Sequence, residues 1–215
     1  MSVVQFVHTP RADVGARVHN WGMSESHAIK PLTTETYPAW LALAQKHNGV
    51  WGGCYCSYFH ADTADTIKSE YDRPTFKQRL VHDGVAHAAL VFEGDAAIAW
   101  CQFGSPAELP NIYHRKQYDA GEPSPPPWRI TCFFVDRDHR RSGVAYEALE
   151  GALTLIAEAG GGEVVSFPNQ LEPGKRTSSS FLHNGTRAMF EQAGFTFERH
   201  IGKSKTVMRK TIAAR

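Results

Sequence analysis

Between residues 133 and 168 the chain reads FFVDRDHRRSGVAYEALEGALTLIAEAGGGEVVSFP, and this stretch restricts the fold more than any other. An apolar β-type run leads through a basic turn into a helix and then into a second β-type run. Ala145, Leu149, Ala152, Leu153, Ile156 and Ala157 recur at intervals of three and four, while Glu147, Glu150 and Glu158 fall mostly on other faces. That is the pattern of a helix with one buried side. Gly160, Gly161 and Gly162 end it, as glycines that accept a left-handed backbone commonly do. A strand, a helix with one apolar stripe and a further strand point to a domain in which helices pack on a sheet.

The turn itself carries chemistry. Arg140, Arg141, Ser142, Gly143, Val144 and Ala145 form an R-x-x-G-x-A sequence at the strand-to-helix junction. The first turn of a helix leaves backbone N–H groups without partners at its positive end, which suits a phosphate. Gly143 removes a side chain where a ligand must come close to the backbone. Arg140 and Arg141 add charge-assisted hydrogen bonding beside those amides. An ordinary strand-turn-helix with an exposed basic corner is the plain alternative.

Composition narrows the classes. With 23 Lys and Arg against 22 Asp and Glu, the chain has no basic footprint for nucleic acid. No apolar run approaches the roughly 20 residues that span a bilayer, and the first residues lack the apolar core of a secretion signal. No membrane partner and a cytoplasmic location are therefore expected. Cys54, Cys56, Cys101 and Cys132 do not form a disulfide framework by spacing. Cys54 and Cys56 with His60 could be half a metal site, but no second ligand pair follows. No metal is expected, and the cysteines read as small residues of a core or of a cofactor's surroundings.

The rest of the chain divides readily. Residues 1–26 are polar and aperiodic and read as an N-terminal arm ahead of a domain over 27–215. A short strand is expected at 28–32 and a helix after 33–36, stopped at Asn48 and Gly49. The aromatic run VWGGCYCSYFH, 50–60, reads as a buried strand, a loop wall or one side of an acceptor pocket. A helix is expected over 64–83, broken or restarted at Pro74. A hairpin follows over 86–104 around Glu93-Gly94-Asp95. Residues 105–127 look like a long loop, either a cover over substrate or a surface excursion. Strand 128–135, the helix after the turn, strand 163–168, a short helix near 186–193 and a hairpin around Gly202-Lys203-Ser204 complete the series.

This order, with strand 128–135, the R-x-x-G-x-A turn and the segment MFEQAGF at 189–195, resembles the GCN5-related N-acetyltransferases over roughly residues 27–212. The resemblance implies a mixed α/β fold, a splayed and mostly antiparallel central sheet flanked by helices. It implies acetyl-CoA as acetyl donor, with the backbones of Phe133 and Val135 along its pantetheine arm and the amides near Arg141 to Ala145 around its pyrophosphate. Arg140 matches the family's Arg or Gln that opens the turn. Phe134 points to the opposite face and belongs to the core.

The implied reaction is direct attack of an amine on the thioester, an acyltransferase activity that needs no nucleophilic side chain. A small-molecule amine is the expected acceptor. The chain departs from the family where a tyrosine often serves as acid, because Phe190 stands at that position and cannot donate a proton. The family's asparagine seven residues earlier falls at His183, with Asn184 beside it. His183 is the candidate catalytic acid or base, and a solvated histidine at a helix start is the alternative. The strand also lacks the glutamate base of some relatives. These departures allow a second reading, a non-catalytic acetyl-CoA sensor or regulatory module. Ser178, Ser179 and Ser180 are either cofactor contacts or a polar loop. The acceptor and the oligomeric state, a dimer included, are not legible.

Overall fold

A computed structural model describes residues 27–60, 72–122, 124–172, 174 and 177–215. The arm expected at 1–26 and the first part of the helix expected at 64–83 lie outside the described residues. The strands are β1 (Ala28–Pro31), β2 (His87–Glu93), β3 (Ala96–Gly104), β4 (Trp128–Val135), β5 (Gly162–Ser166), β6 (Thr196–Ile201) and β7 (Lys205–Ile212). The helices are α1 (Tyr37–Lys46), α2 (Arg73–His82), α3 (Arg115–Ala120), α4 (Val144–Glu158) and α5 (Arg187–Gln192). Pro74 lies in the first turn of α2, where its missing N–H costs nothing, so it begins the helix.

The strands form one sheet in the order β1-β2-β3-β4-β5-β7-β6. Every neighbouring pair is antiparallel except β4 and β5. The runs of β2, β3 and β4 are almost wholly buried, which requires cover on both faces. On one face α4 packs Val144, Ala148, Leu149, Ala152, Leu153 and Ile156 against Ala89, Ile98, Ile130, Phe133 and Val164. On the other, α1 contributes Trp40, Leu43 and Ala44, joined by Val50, Cys56 and Phe59, against Leu90, Trp100, Cys132 and Phe134. Phe134 lies with its ring centroid 4.8 Å from that of Trp100.

One feature of the sheet positions the site. Beta strands β4 and β5 share only three residue pairs, Trp128 with Val164, Arg129 with Val165 and Ile130 with Ser166. Beyond Ile130 they part. On its β3 side β4 stays paired to Val135, but the register slips by one residue, so Thr131 has no partner between Cys132–Gln102 and Ile130–Phe103. A bulge of this kind bends its strand and often lies beside a functional site. The result is a V-shaped opening with one bare strand edge.

The reading of 105–127 as a long loop is corrected by the structure. It contains α3, and Leu109, Ile112 and Tyr118 are buried. Arg129 donates through Nη1 to the carbonyl of Leu109, 2.8 Å away, which ties the segment to β4. Widely spaced anchors among polar and proline residues leave no periodicity, so this packing was not readable from the sequence.

Candidate functional site

The opening between β4 and β5 continues into a cleft of about 600 Å³. Phe133, Phe134, Val135, His139, Arg140, Arg141, Gly143, Val144, Ala145 and Tyr146 line one side, and Thr177, Ser179, Leu182, Gly185, Thr186 and Met189 the other. The amide of Asp136 donates to Ile98 O on β3. Backbone groups alternate along a strand, so those of Phe133 and Val135 face the bare edge. An extended ligand can therefore pair with β4 where β5 has left it.

At the mouth, the chain passes through a short 3-10 turn, Arg137–His139, and then two residues in the left-handed region, Arg141 at φ +67° and Gly143 at φ +91°. Helix α4 starts at once. The amides of Tyr146 and Glu147 bond the Gly143 carbonyl, whereas those of Gly143, Val144 and Ala145 have no acceptor among the described residues. A Cβ placed on Gly143 would meet no atom within 4 Å. Glycine is thus required there by backbone angle, and the space above it is open to a ligand. Arg140 spans the mouth, with Nε 3.3 Å from Val135 O and Nη1 3.4 Å from Ser179 Oγ. Ser142 turns its hydroxyl to His139 O at 2.6 Å and contributes no cleft wall. Of the expected serines, Ser179 lines the cleft.

Beside the cleft, though not among the residues that line it, lie further polar groups, of which the sequence did not mark Lys205. Asn184 is buried, donates from Nδ2 to Thr131 O at 2.5 Å, and accepts at Oδ1 from the Lys205 ammonium. Lys205 is 6% exposed and has no carboxylate partner among the described residues. Its Nζ lies 5.2 Å from the Tyr113 ring centroid and 5.8 Å from that of Phe181. Burial lowers this ammonium to about 8. The resemblance puts the family's asparagine position at His183, and Asn184 beside it is the asparagine that bonds β4.

His183 stands in a 3-10 turn, Phe181–Asn184, half-buried beside Trp51, Phe59 and Tyr113. Its Nδ1 lies 2.6 Å from Ser180 O. A carbonyl only accepts, so Nδ1 carries the proton and Nε2 of the neutral ring holds a bare lone pair. That Nε2 is buried and has no partner among the described residues. Burial lowers the histidine's pKa, with the Ser180 bond opposing and the Lys205 charge assisting. Trp51 Nε1, Thr131 Oγ1, Ser166 Oγ and Asn169 Oδ1 are likewise buried without partners among the described residues. Native proteins leave few such atoms unpaired, and Thr131 and Ser166 stand on the two strands that part here.

Trp51 enters the cleft from the aromatic run 50–60, which is neither strand nor helix before Tyr58. Asn48, Gly49, Val50, Trp51, Gly52 and Gly53 all have positive φ, with Val50 at +49° and Trp51 at +43°. A Cβ on Gly49 would collide with the Tyr55 ring. Left-handed backbone at a β-branched and a bulky residue costs energy and collects at functional sites. The turn presents Trp51 edge-on to Phe134, at 5.5 Å between centroids.

Other expected groups are spent elsewhere. Phe190 is fully buried, packed edge-on against Phe133 and Phe195, and belongs to the core. Cys54, Cys56 and His60 do not converge. Cys56 meets Cys132, while His60 bonds Glu108 O, Lys77 and Gln102. No group of three metal-ligating side chains occurs among the described residues, nor any helix long and apolar enough to cross a membrane.

The splayed, mostly antiparallel seven-stranded sheet with α4 at its opening is the fold of the GCN5-related N-acetyltransferases. Solved structures agree. An aminoglycoside 6′-N-acetyltransferase complexed with coenzyme A matches with a TM-score of 0.52 and 11% identity, over 87% of this chain and 98% of that one. A protein described as histone acetyltransferase HPA2 and related acetyltransferase, from Corynebacterium glutamicum, matches with a TM-score of 0.50 and 14% identity, over 88% and 98%. At such identities the likeness is one of fold. No protein-family model and no curated protein sequence matches the chain.

Proposed function

We propose that this protein transfers an acetyl group from acetyl-CoA directly to a small primary amine. The observation that carries this reading is the junction of two binding devices in one cleft: the bare β4 edge at Phe133 and Val135, and the unpaired amides of Gly143, Val144 and Ala145 at its mouth. Together they suit a ligand with an extended amide-bearing arm and a phosphate group. Arg140 and Arg141 add positive charge at the phosphate end. The complex of one fold relative with coenzyme A supports the same ligand. Near-zero net charge favours a small acceptor over a polyanionic one.

Acetyl-CoA supplies a thioester whose acetyl group an amine can take without an enzyme-bound intermediate. The side chains beside the cleft divide the remaining work. His183 Nε2 accepts a proton from the incoming ammonium, its tautomer fixed by Ser180. The Lys205 ammonium, held by Asn184, stabilises negative charge on the departing sulfur and can protonate it, a task Phe190 cannot perform. Trp51 and Leu182 exclude water. Orientation along β4 contributes much of the rate.

Phe190, which has no proton to donate, and the absence of a glutamate on β4 favour a second reading, an acetyl-CoA sensor without turnover. Incubation with acetyl-CoA and a panel of primary amines, followed by free-thiol release and product mass, separates the two. Amine-dependent thiol release supports the transferase. Tight coenzyme binding with no acetylated product from any amine would leave the sensor, and no coenzyme binding would remove both.

A further inference from the structure

A second polar group lies behind β4, on the α1 face of the sheet, and takes no part in the proposed transfer. Cys56 Sγ and Cys132 Sγ are 3.2 Å apart. A disulfide requires about 2.05 Å, so these are two reduced thiols in contact. Trp100 Nε1 donates to the same Cys56 sulfur at 3.2 Å. Lys77, on α2, is only 1% exposed and has no carboxylate partner among the described residues. Its Nζ lies 2.9 Å from His60 Nε2 and 5.7 Å from the Trp40 ring centroid, and its charge acts on Cys54, Cys56 and Cys132.

A buried ammonium with no carboxylate must lose its proton or face another anion. His60 cannot be that anion, because its Nδ1 donates to Glu108 O and its Nε2 offers only a lone pair. Of the groups that its charge reaches, the thiols are the ones that can ionise. Burial opposes ionisation of Cys56, but contact with Cys132, the Lys77 charge and the Trp100 donor together lower its pKa. The Cys132 thiol is pushed well up by the same contact and by burial. One sulfur thus tends to thiolate while its neighbour keeps its proton.

We infer that Cys56 and Cys132 form an oxidisable dithiol site, with Cys56 attacking a peroxide, Cys132 resolving it, and Lys77 positioning charge on Cys56. The Cys56 thiolate takes one oxygen of the peroxide; the O–O bond breaks and the other oxygen leaves as water with the proton that Lys77 held. Sulfur is oxidised to the sulfenic acid. Cys132 attacks that sulfur, the S–O bond breaks, and the hydroxyl leaves as a second water with the Cys132 proton. Two thiols and one peroxide become one disulfide and two waters, and an added thiol reverses the change. The bond would join the strained segment that carries Trp51 to the residue preceding Phe133. The redox state of the pair therefore reaches two residues that line the cleft. Because both sulfurs are buried, a peroxide of nearly the size of water can arrive where a bulky disulfide cannot.

The test needs neither acetyl-CoA nor an acceptor. Folded protein is treated with hydrogen peroxide or with glutathione disulfide, quenched in acid and analysed by intact mass and peptide mapping. A loss of two mass units with a Cys56–Cys132 linked peptide, from peroxide and not from glutathione disulfide, is expected. C132S should stop at a sulfenic acid on Cys56 that a 1,3-dione traps when the oxidised chain is unfolded in its presence. K77M should slow the reaction about tenfold near neutral pH, a gap that closes as alkali ionises the thiol. Unchanged mass in peroxide, a Cys54–Cys56 link, or a sulfinic acid on Cys56 of the unmutated chain would overturn the assignment. Equal rates in K77M would remove Lys77 from it. If K77M does not fold, the linked peptide of the unmutated chain and the C132S trap still decide.

Discussion

The side-chain amide of Asn184 donates to the carbonyl of Thr131 across 2.5 Å, and that bond sits where the sheet comes apart. Thr131 falls at the bulge in the β3 pairing, β5 pairs no further than Ile130, and Asn184 takes up the Thr131 carbonyl. The other end of the same amide holds Lys205. One residue therefore satisfies the broken ladder and fixes a buried charge. Asn184→Ala would leave a buried carbonyl and an ammonium short of partners, at a cost of about 1–3 kcal/mol. Urea denaturation should show that loss, and acetyl-CoA binding should weaken with it. An unchanged denaturation midpoint would contradict this account of the bulge.

Gly143 is expected to tolerate substitution in the fold far better than in the cleft. At φ +91° any side chain strains the backbone, by about 1–2 kcal/mol, yet a Cβ there meets nothing. Gly143→Glu should stay folded and lose acetyl-CoA binding, because it puts bulk and negative charge against the phosphate-facing amides. Calorimetric titration against a folded mutant checks it; retained affinity would refute the assignment of the turn.

His183 and Lys205 should leave opposite marks on a pH profile. Burial lowers both pKa values. Loss of rate on acidification should thus fall below the ordinary histidine range, as Nε2 becomes protonated. Loss on the alkaline side should fall near pH 8, as Lys205 gives up its proton. His183→Gln should reduce turnover on the order of 10²-fold and remove the acid limb. Lys205→Met should remove the alkaline limb and leave coenzyme affinity intact. A profile unchanged in either mutant would dismiss that residue from the chemistry.

Asp136 links the end of β4 to α1 and ought to govern acid stability. Its carboxylate accepts from Lys46 Nζ at 2.6 Å, His47 Nε2 at 3.2 Å and the Asp138 amide at 3.2 Å. Burial would raise its pKa, but these partners outweigh that and hold it at about 2. An aspartate whose folded pKa is depressed contributes above the unfolded value near 4, and the contribution disappears as pH falls toward 2. Stability of the native chain should drop by up to about 2 kcal/mol across that window. Asp136→Asn should be less stable at neutral pH and show a shallower slope. Thermal melts from pH 5 to pH 2 measure both.

Much of the frame was legible because it is local. The three- and four-residue recurrence from Ala145 to Ala157 announced α4, and the run 128–135 announced β4 with its boundaries intact. The R-x-x-G-x-A turn carried its own chemistry, since a helix start must leave amides free whatever surrounds it. The aromatic run 50–60 offered only composition; its left-handed turn depends on Tyr55 packing over Gly49. Lys205 opens the run KTVMRKTI and reads like any lysine at the end of a hairpin strand.

The order of elements, the buried stripe of α4 and a phosphate-suited turn follow from the spacing of neighbouring residues. Where β4 and β5 separate, and which groups meet there, depends on the packed fold. Asn184 lies 53 positions from Thr131 and 21 from Lys205, and Cys56 lies 76 from Cys132. No periodicity links such residues. Their proximity comes from the packing of whole strands, and so do the burial and charge that give them their chemistry.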